Sequence, residues 1–100
     1  MKYILSKDFA KSLQKLNGKE LRSVLAVIDE VEAADSVEKI TDCKKLVNYN
    51  NVYRIRIGNK RAFFTLHIEI TNDKVIFHFL VSRGQAYTKA MNKELRRIDS

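Results

Sequence analysis

The chain has no proline, no tryptophan and one cysteine, Cys43. A lone cysteine cannot close an intramolecular disulfide, so a small secreted scaffold held by cross-links is excluded. Cys43, His67 and His78 are too scattered to build a structural zinc site, and no metal or other cofactor is expected. Long apolar runs are missing as well. None extends beyond the few residues around Leu25–Ile28, so no membrane span is expected. The opening Met1–Asp8 has only Ile4-Leu5 as adjacent aliphatics before charge resumes, which is not a signal-peptide core. A cytoplasmic protein is the expectation. Without proline, the three glycines, Gly18, Gly58 and Gly84, are the main punctuation.

The chain of 100 residues is the size of a single domain, 1–100. Its apolar fraction of 45% is enough for a packed core. Acidic residues are scarce in the second half. Residues 1–50 carry nine Lys+Arg and eight Asp+Glu, whereas residues 51–100 carry ten and four, net +1 and +6. A basic half beside a neutral half points to a polyanionic partner: nucleic acid, an acidic protein or an anionic membrane surface. Plain solubility is the alternative.

Hydrophobic spacing divides the chain. Tyr3-Ile4-Leu5 reads as a short strand, with Ser6 as a helix cap. Phe9, Leu13 and Leu16 mark a helix over Lys7–Leu16, which Asn17-Gly18 should end. Leu21, Val24, Leu25, Ile28 and Val31 mark a second over Lys19–Ala34. A strand is expected at about Leu46-Val47. From Asn51 the period becomes two. Tyr53, Ile55 and Ile57 alternate with Val52, Arg54 and Arg56, and Gly58-Asn59 signals a tight turn. Next comes a strand with Ala62, Phe64, Leu66, Ile68 and Ile70 on one face and Arg61, Phe63, Thr65, His67 and Glu69 on the other. A last strand, Val75–Val81, presents Val75, Phe77, Phe79 and Val81 as its apolar face. Gln85–Ile98 reads as a helix with a stripe of Tyr87, Ala90, Met91, Leu95 and Ile98. The class is α+β, in the order β-α-α-β-β-β-α, with an antiparallel meander on an αα-hairpin.

The second face of that meander holds the chemistry. Arg54 and Arg56 lie two apart in one strand and point the same way. A tight hairpin brings Arg61 near Arg56 on the same face. Three guanidiniums that close repel one another, but their forks suit phosphate oxygens. A solvated face, with long side chains covering apolar area, is the alternative. Arg83 and Tyr87 flank Gly84, and Tyr87 could equally be a core aromatic with its hydroxyl at the surface. His67 and His78, inside strands, read first as structural residues. Cys43 has no His or Cys neighbour by spacing and reads as an inert thiol.

The stretch Lys45-Leu46, then Tyr53-Arg54-Ile55-Arg56-Ile57-Gly58-Asn59-Lys60-Arg61, two apolar strands and Ser82-Arg83-Gly84-Gln85-Ala86-Tyr87, resembles the RelE/ParE superfamily of toxins from bacterial type II toxin–antitoxin modules. The resemblance runs through nearly the whole chain and is most specific at the YRIRIG-x-x-R segment. It implies a RelE-like fold. It is similar to the RelE branch, whose members cleave mRNA in the ribosomal A site. The proline- and Gly-Arg-containing approach to the hairpin of ParE-like gyrase inhibitors is replaced by Leu46–Asn51. A gyrase inhibitor without chemistry, or an inactive basic interaction module, are the alternatives.

The chemistry this resemblance implies is metal-independent. The RNA 2′-hydroxyl attacks the adjacent phosphate, a base takes its proton, cations hold the phosphorane charge and an acid protonates the leaving 5′-oxygen. Arg56, Arg61, Arg83 and Tyr87 match the catalytic positions. Arg54, Lys60, Lys45 and Lys44 match RNA contacts. Two departures stand out. A Lys-x-Lys pair is Arg54-x-Arg56 here, and an arginine, with a pKa above about 12, is a poor proton acceptor. The position before Arg61, commonly Tyr, is Lys60. The general base is therefore open among groups such as Lys60, His67 and His78. The implied partners are the ribosome with its mRNA and a cognate antitoxin. An acidic antitoxin helix is expected to cover the groove beside Tyr87 and shield Arg83, and the last helix is expected to dock weakly.

Overall fold

The computed structural model describes residues 1–99. Its elements are β1 (Lys2–Leu5), α1 (Lys7–Gln14), α2 (Gly18–Ala33), a 3₁₀ turn (Val37–Lys39), β2 (Cys43–Lys45), β3 (Val52–Ile57), β4 (Lys60–His67), β5 (Lys74–Ser82) and α3 (Lys89–Ile98). Polar side chains set the helix starts. Ser6 Oγ accepts from the Phe9 amide at 3.0 Å and donates to the His78 carbonyl at 2.7 Å, so one residue caps α1 and ties it to β5. Asn17 and Glu20 form a reciprocal capping box on α2. Asn17 therefore opens the second helix as well as following the first. Thr88 caps α3, which begins at Lys89, later than the Gln85 expected from its stripe.

The strands form one sheet in the order β1-β5-β4-β3-β2. β1 runs parallel to β5, and every other pair is antiparallel. The expected meander is β3-β4-β5. β2 lies at Cys43–Lys45, just before the expected Leu46-Val47, because its partner in β3 is the run Tyr53–Ile55. Leu46 instead begins the connecting loop, closed by its amide on the Val52 carbonyl at 2.8 Å. β4 ends at His67, short of Ile70, and Ile68 and Ile70 are both exposed.

One face of the sheet sits on α1 and α2. Phe9, Val24, Ile28 and Val31 meet Ile55, Ala62, Phe64, Val75, Phe77 and Leu80, all buried. The rings pack in a chain: Phe9 on Phe77 at 5.1 Å, Phe77 on Phe64 at 5.8 Å, and Phe64 stacked on Tyr53 at 5.0 Å. Leu25, expected on the buried stripe, is exposed, because Val24, Ile28 and Val31 already span the contact with the sheet.

The other face is not free. Val52, Phe63 and Phe79 pack under Ala86 and Leu95, with Met91 and Ile98 alongside. This second core exists because of a bulge. Phe63 pairs with Phe79, but Phe64 pairs with Phe77, leaving His78 without a partner. One extra residue reverses the alternation of β5. Val75 and Phe77 face the α1–α2 side, while Phe79 and Val81 face α3. The expectation of one apolar face over Val75, Phe77, Phe79 and Val81 is overturned by that reversal. α3 thus has a docking site, and the cationic part of the second face is confined to its β2–β3 end.

A candidate phosphate-binding face with a perturbed tyrosine

The cationic face is built by strand register. Lys44 pairs with Arg54, Arg54 with Phe63, and Arg56 with Arg61. Paired residues point the same way, so Lys44, Arg54, Arg56 and Arg61 share the α3 side of the sheet. Lys45 and Lys60 do not join them. Lys45 pairs with Tyr53 and Lys60 with Ile57, both on the α1–α2 side. Lys45 donates to the Tyr49 carbonyl at 2.7 Å, and Lys60 lines a groove with Lys19, Ser23 and Val24. The structure therefore separates two of the expected RNA contacts from the other cations.

The arginines differ from one another. Arg56 is exposed, and its Nη2 lies 3.3 Å from Asp42 Oδ1, so its charge is largely answered. Asp42 reaches it from a left-handed backbone position, φ 56°. Arg61 is 7% exposed. Its Nη1 donates to the carbonyls of Gly58 and Lys60 at 2.9 and 2.8 Å, which locks the guanidinium against the β3–β4 turn. The buried Nε of Arg61 and that of Arg54 have no hydrogen-bond partner, and no carboxylate among the described residues forms an ion pair with either arginine. A buried cation without a counter-charge is costly unless an anion arrives.

Tyr87 stands over this pair. Arg54 Nη1 donates to its phenol oxygen at 3.2 Å. Burial pushes the Tyr87 phenol up, but the hydrogen bond and charge of Arg54, and then those of Arg61, outweigh it and hold the phenol below its usual 10.0. Tyr87 precedes α3 and is half exposed, with its ring at the site; Ala86 is the residue buried in its place. Arg83 is exposed, and its amide donates to the Asn59 carbonyl at 2.7 Å, which fixes it at the same rim as the β3–β4 turn.

Other expected candidates fall outside this cluster. Thr65 Oγ1 lies 3.0 Å from His67 Nε2 and 2.8 Å from His78 Nε2. Each imidazole thus has its Nε2 engaged within the sheet. Burial, then the charges of His67 and Arg97, hold His78 below the usual 6.5. Burial pushes the Cys43 thiol up to about 11, which suits an inert thiol. No group of three or more His, Cys, Asp and Glu side chains suited to a metal gathers among the described residues. No described helix is long and apolar enough to cross a membrane.

Sequence reading missed Tyr49, Asn92 and Arg96. Arg96 stacks over the Tyr49 ring at 4.9 Å, and the Tyr49 hydroxyl donates to Asn92 Oδ1 at 3.4 Å. Asn92 and Arg96 are four apart on α3, hence on one helix face. That spacing was the available signal, but nothing in the sequence placed it against the Asn48–Asn51 loop.

A five-stranded sheet with an αα-hairpin on one side and a terminal helix on the other is the architecture of RelE-type toxins. No protein-family model matches the chain. The chain is 33% identical over 88 residues to Toxin RelE3 of Methanocaldococcus jannaschii, covering 87% of this chain and 96% of that protein. The chain belongs to the RelE toxin family. Its fold is similar to that of the RelB–RelE antitoxin–toxin complex from Methanococcus jannaschii, with a TM-score of 0.69, 27% identity and coverage of 84% of this chain and 94% of that one. It is also similar to the archaeal RelE–RelB complex from Pyrococcus horikoshii, with a TM-score of 0.67, 24% identity and coverage of 85% and 97%.

Proposed function

We propose that this protein is the toxin of a type II toxin–antitoxin module and that it cleaves mRNA on the ribosome. The observation that carries this reading is Arg61, a nearly buried cation with two backbone tethers and no carboxylate partner among the described residues. Such a group is held in place to receive an anion. RNA phosphate meets that need, and Arg54 beside it supplies a second fork.

In this mechanism the scissile phosphate sits on Arg54 and Arg61. Tyr87, held below its ordinary pKa by those cations, takes the proton of the attacking 2′-hydroxyl. The O2′–P bond forms and the P–O5′ bond breaks, and the departing 5′-oxygen takes a proton from solvent, leaving a 2′,3′-cyclic phosphate and a 5′-hydroxyl. The two arginines hold the added charge of the phosphorane. Arg83, exposed at the rim, steadies the leaving side. Lys44 extends the cationic track along β2. Arg56, answered by Asp42, contributes less than its position in the strand suggests.

The partner in this reading is an acidic antitoxin. Support comes from the Methanococcus jannaschii structure, in which a RelE chain is held by RelB, and from the charge of +7 on this chain. A ribosome-programmed cleavage assay tests the activity. Cut mRNA with the wild type and loss of cutting with Arg61→Ala are expected. Intact mRNA together with gyrase trapped on broken DNA overturns the reading.

A further inference from the structure

The loop between β2 and β3 and one face of α3 enclose a groove of about 310 Å³ that reaches Tyr87. We propose that this groove is a subsite for one unpaired nucleobase of single-stranded RNA, the base next to the phosphate held by Arg54 and Arg61. The inference rests on the RNA-cleaving reading and adds to it a recognition element.

The lining has the chemistry a base requires. Leu46 and Val47 supply apolar surface, and Tyr49 and Tyr87 supply rings. A base offers a flat π-face and a polar edge, and aromatic surfaces take the face with little regard to sequence. Asn92 supplies an amide able both to donate and to accept, which is what reads an edge. The Tyr49 hydroxyl orients that amide by donating to its Oδ1. Arg96, stacked over Tyr49, keeps the groove cationic.

The groove is also held in shape. Asn48 lies in the left-handed region, φ 71°, a turn conformation that asparagine adopts more readily than other side chains. The loop is held there from both ends of its path. The Lys45 ammonium donates to the Tyr49 carbonyl at 2.7 Å. The amides of Asn50 and Asn51 donate to the Asp99 carboxylate at 2.8 and 2.7 Å, joining the loop to the end of α3. A cleft fixed before its ligand arrives lowers the ordering cost of binding. Tyr87 belongs both to this groove and to the arginine cluster, through its hydrogen bond to Arg54. The base site and the phosphate site therefore adjoin, as the two parts of one nucleotide do.

Binding of fluorescent single-stranded RNA pentamers to the intact protein tests the proposal, with an abasic residue placed at each position in turn. With the wild type, the abasic residue at one position is expected to weaken binding about tenfold. Tyr49→Ala should remove that penalty, and Tyr49→Phe should keep it. Asn92→Ala, at an exposed position, should flatten the preference among the four bases. If no position carries a penalty while Arg54→Ala still weakens binding, the base subsite is wrong and the phosphate site stands. If Arg54→Ala leaves RNA binding unchanged, the RNA-cleaving reading fails and the subsite falls with it. If Tyr49→Ala abolishes binding of an acidic partner helix but leaves the abasic penalty intact, the groove belongs to a protein and the proposal is overturned.

Discussion

Arg54 on β3 holds the phenol of Tyr87, a residue from the segment before α3, by a hydrogen bond of 3.2 Å. The bond fixes the ring over the cationic face and favours the phenolate. Its consequence for catalysis is a pH profile. Activity should rise with pH as Tyr87 ionises, and Arg54→Gln should move that rise to higher pH by removing the first of the cations that lower it. Tyr87→Phe should lower cleavage by about 10²–10⁴-fold without unfolding the protein. Rates on programmed ribosomes across pH 6–9 check both. An unshifted profile for Arg54→Gln removes Tyr87 as the base.

Arg61 and Lys60 are neighbours in sequence that face opposite sides of the sheet. Arg61→Ala should therefore cost about 3 kcal/mol of transition-state stabilisation, while Lys60→Ala changes little. Stability separates the two effects. Arg61→Ala loses two hydrogen bonds but also removes an unanswered buried charge, so a net change within about 1 kcal/mol is expected in urea titration. Full activity of Arg61→Ala would discard the site.

His78 gives the fold a pH dependence of definite sign. Burial, followed by His67 and Arg97, depresses its pKa in the folded state below the usual 6.5. Above that value the imidazole is neutral folded or unfolded, and it contributes no pH dependence. Below it the unfolded chain takes up the proton first, so stability should fall as pH drops below 6.5. Melting temperatures between pH 7.5 and 5.0 measure this, and His78→Gln should flatten the decline in that range. An equal slope in both proteins means that His78 is not the group responsible.

Leu95 is the main anchor of α3, 1% exposed against Phe63 and Phe79. Leu95→Ala should cost about 2–5 kcal/mol. If α3 undocks on its own, hydrogen exchange should speed up over residues 89–98 and stay unchanged across Val24–Val31. Uniform acceleration throughout the chain would instead show that the two cores melt as one.

Most of the architecture was readable because period and punctuation are clear. The switch from a helical period to alternation at Asn51, the Gly58 turn, the cap at Ser6 and the break at Asn17-Gly18 all act locally. Arg54, Arg56 and Arg61 could be placed on one face for the same reason. What could not be read depends on contacts distant in sequence. Asp42 neutralises Arg56 only because β2 pairs with β3. Arg61 looks like any surface arginine until the β3–β4 turn closes around its guanidinium. Tyr87 could be placed after a break but not over Arg54. The α3 stripe contained Leu95 correctly, whereas its docking site on Phe63 and Phe79 depends on a bulge with no sequence signature of its own.

That bulge gives β5 a change of parity. Before His78, odd-numbered residues face the α1–α2 side; beyond it, they face α3. Two relatives aligned through β5 therefore superimpose in space only if any gap falls at that one position. A gap set elsewhere would match inward side chains with outward ones along the rest of the strand. A deletion scan should show the same rule: loss of the single residue His78 leaves Phe77 and Phe79 adjacent and on opposite faces, so both cores keep their side chains, whereas loss of one residue elsewhere in β5 turns one part of the strand the wrong way round.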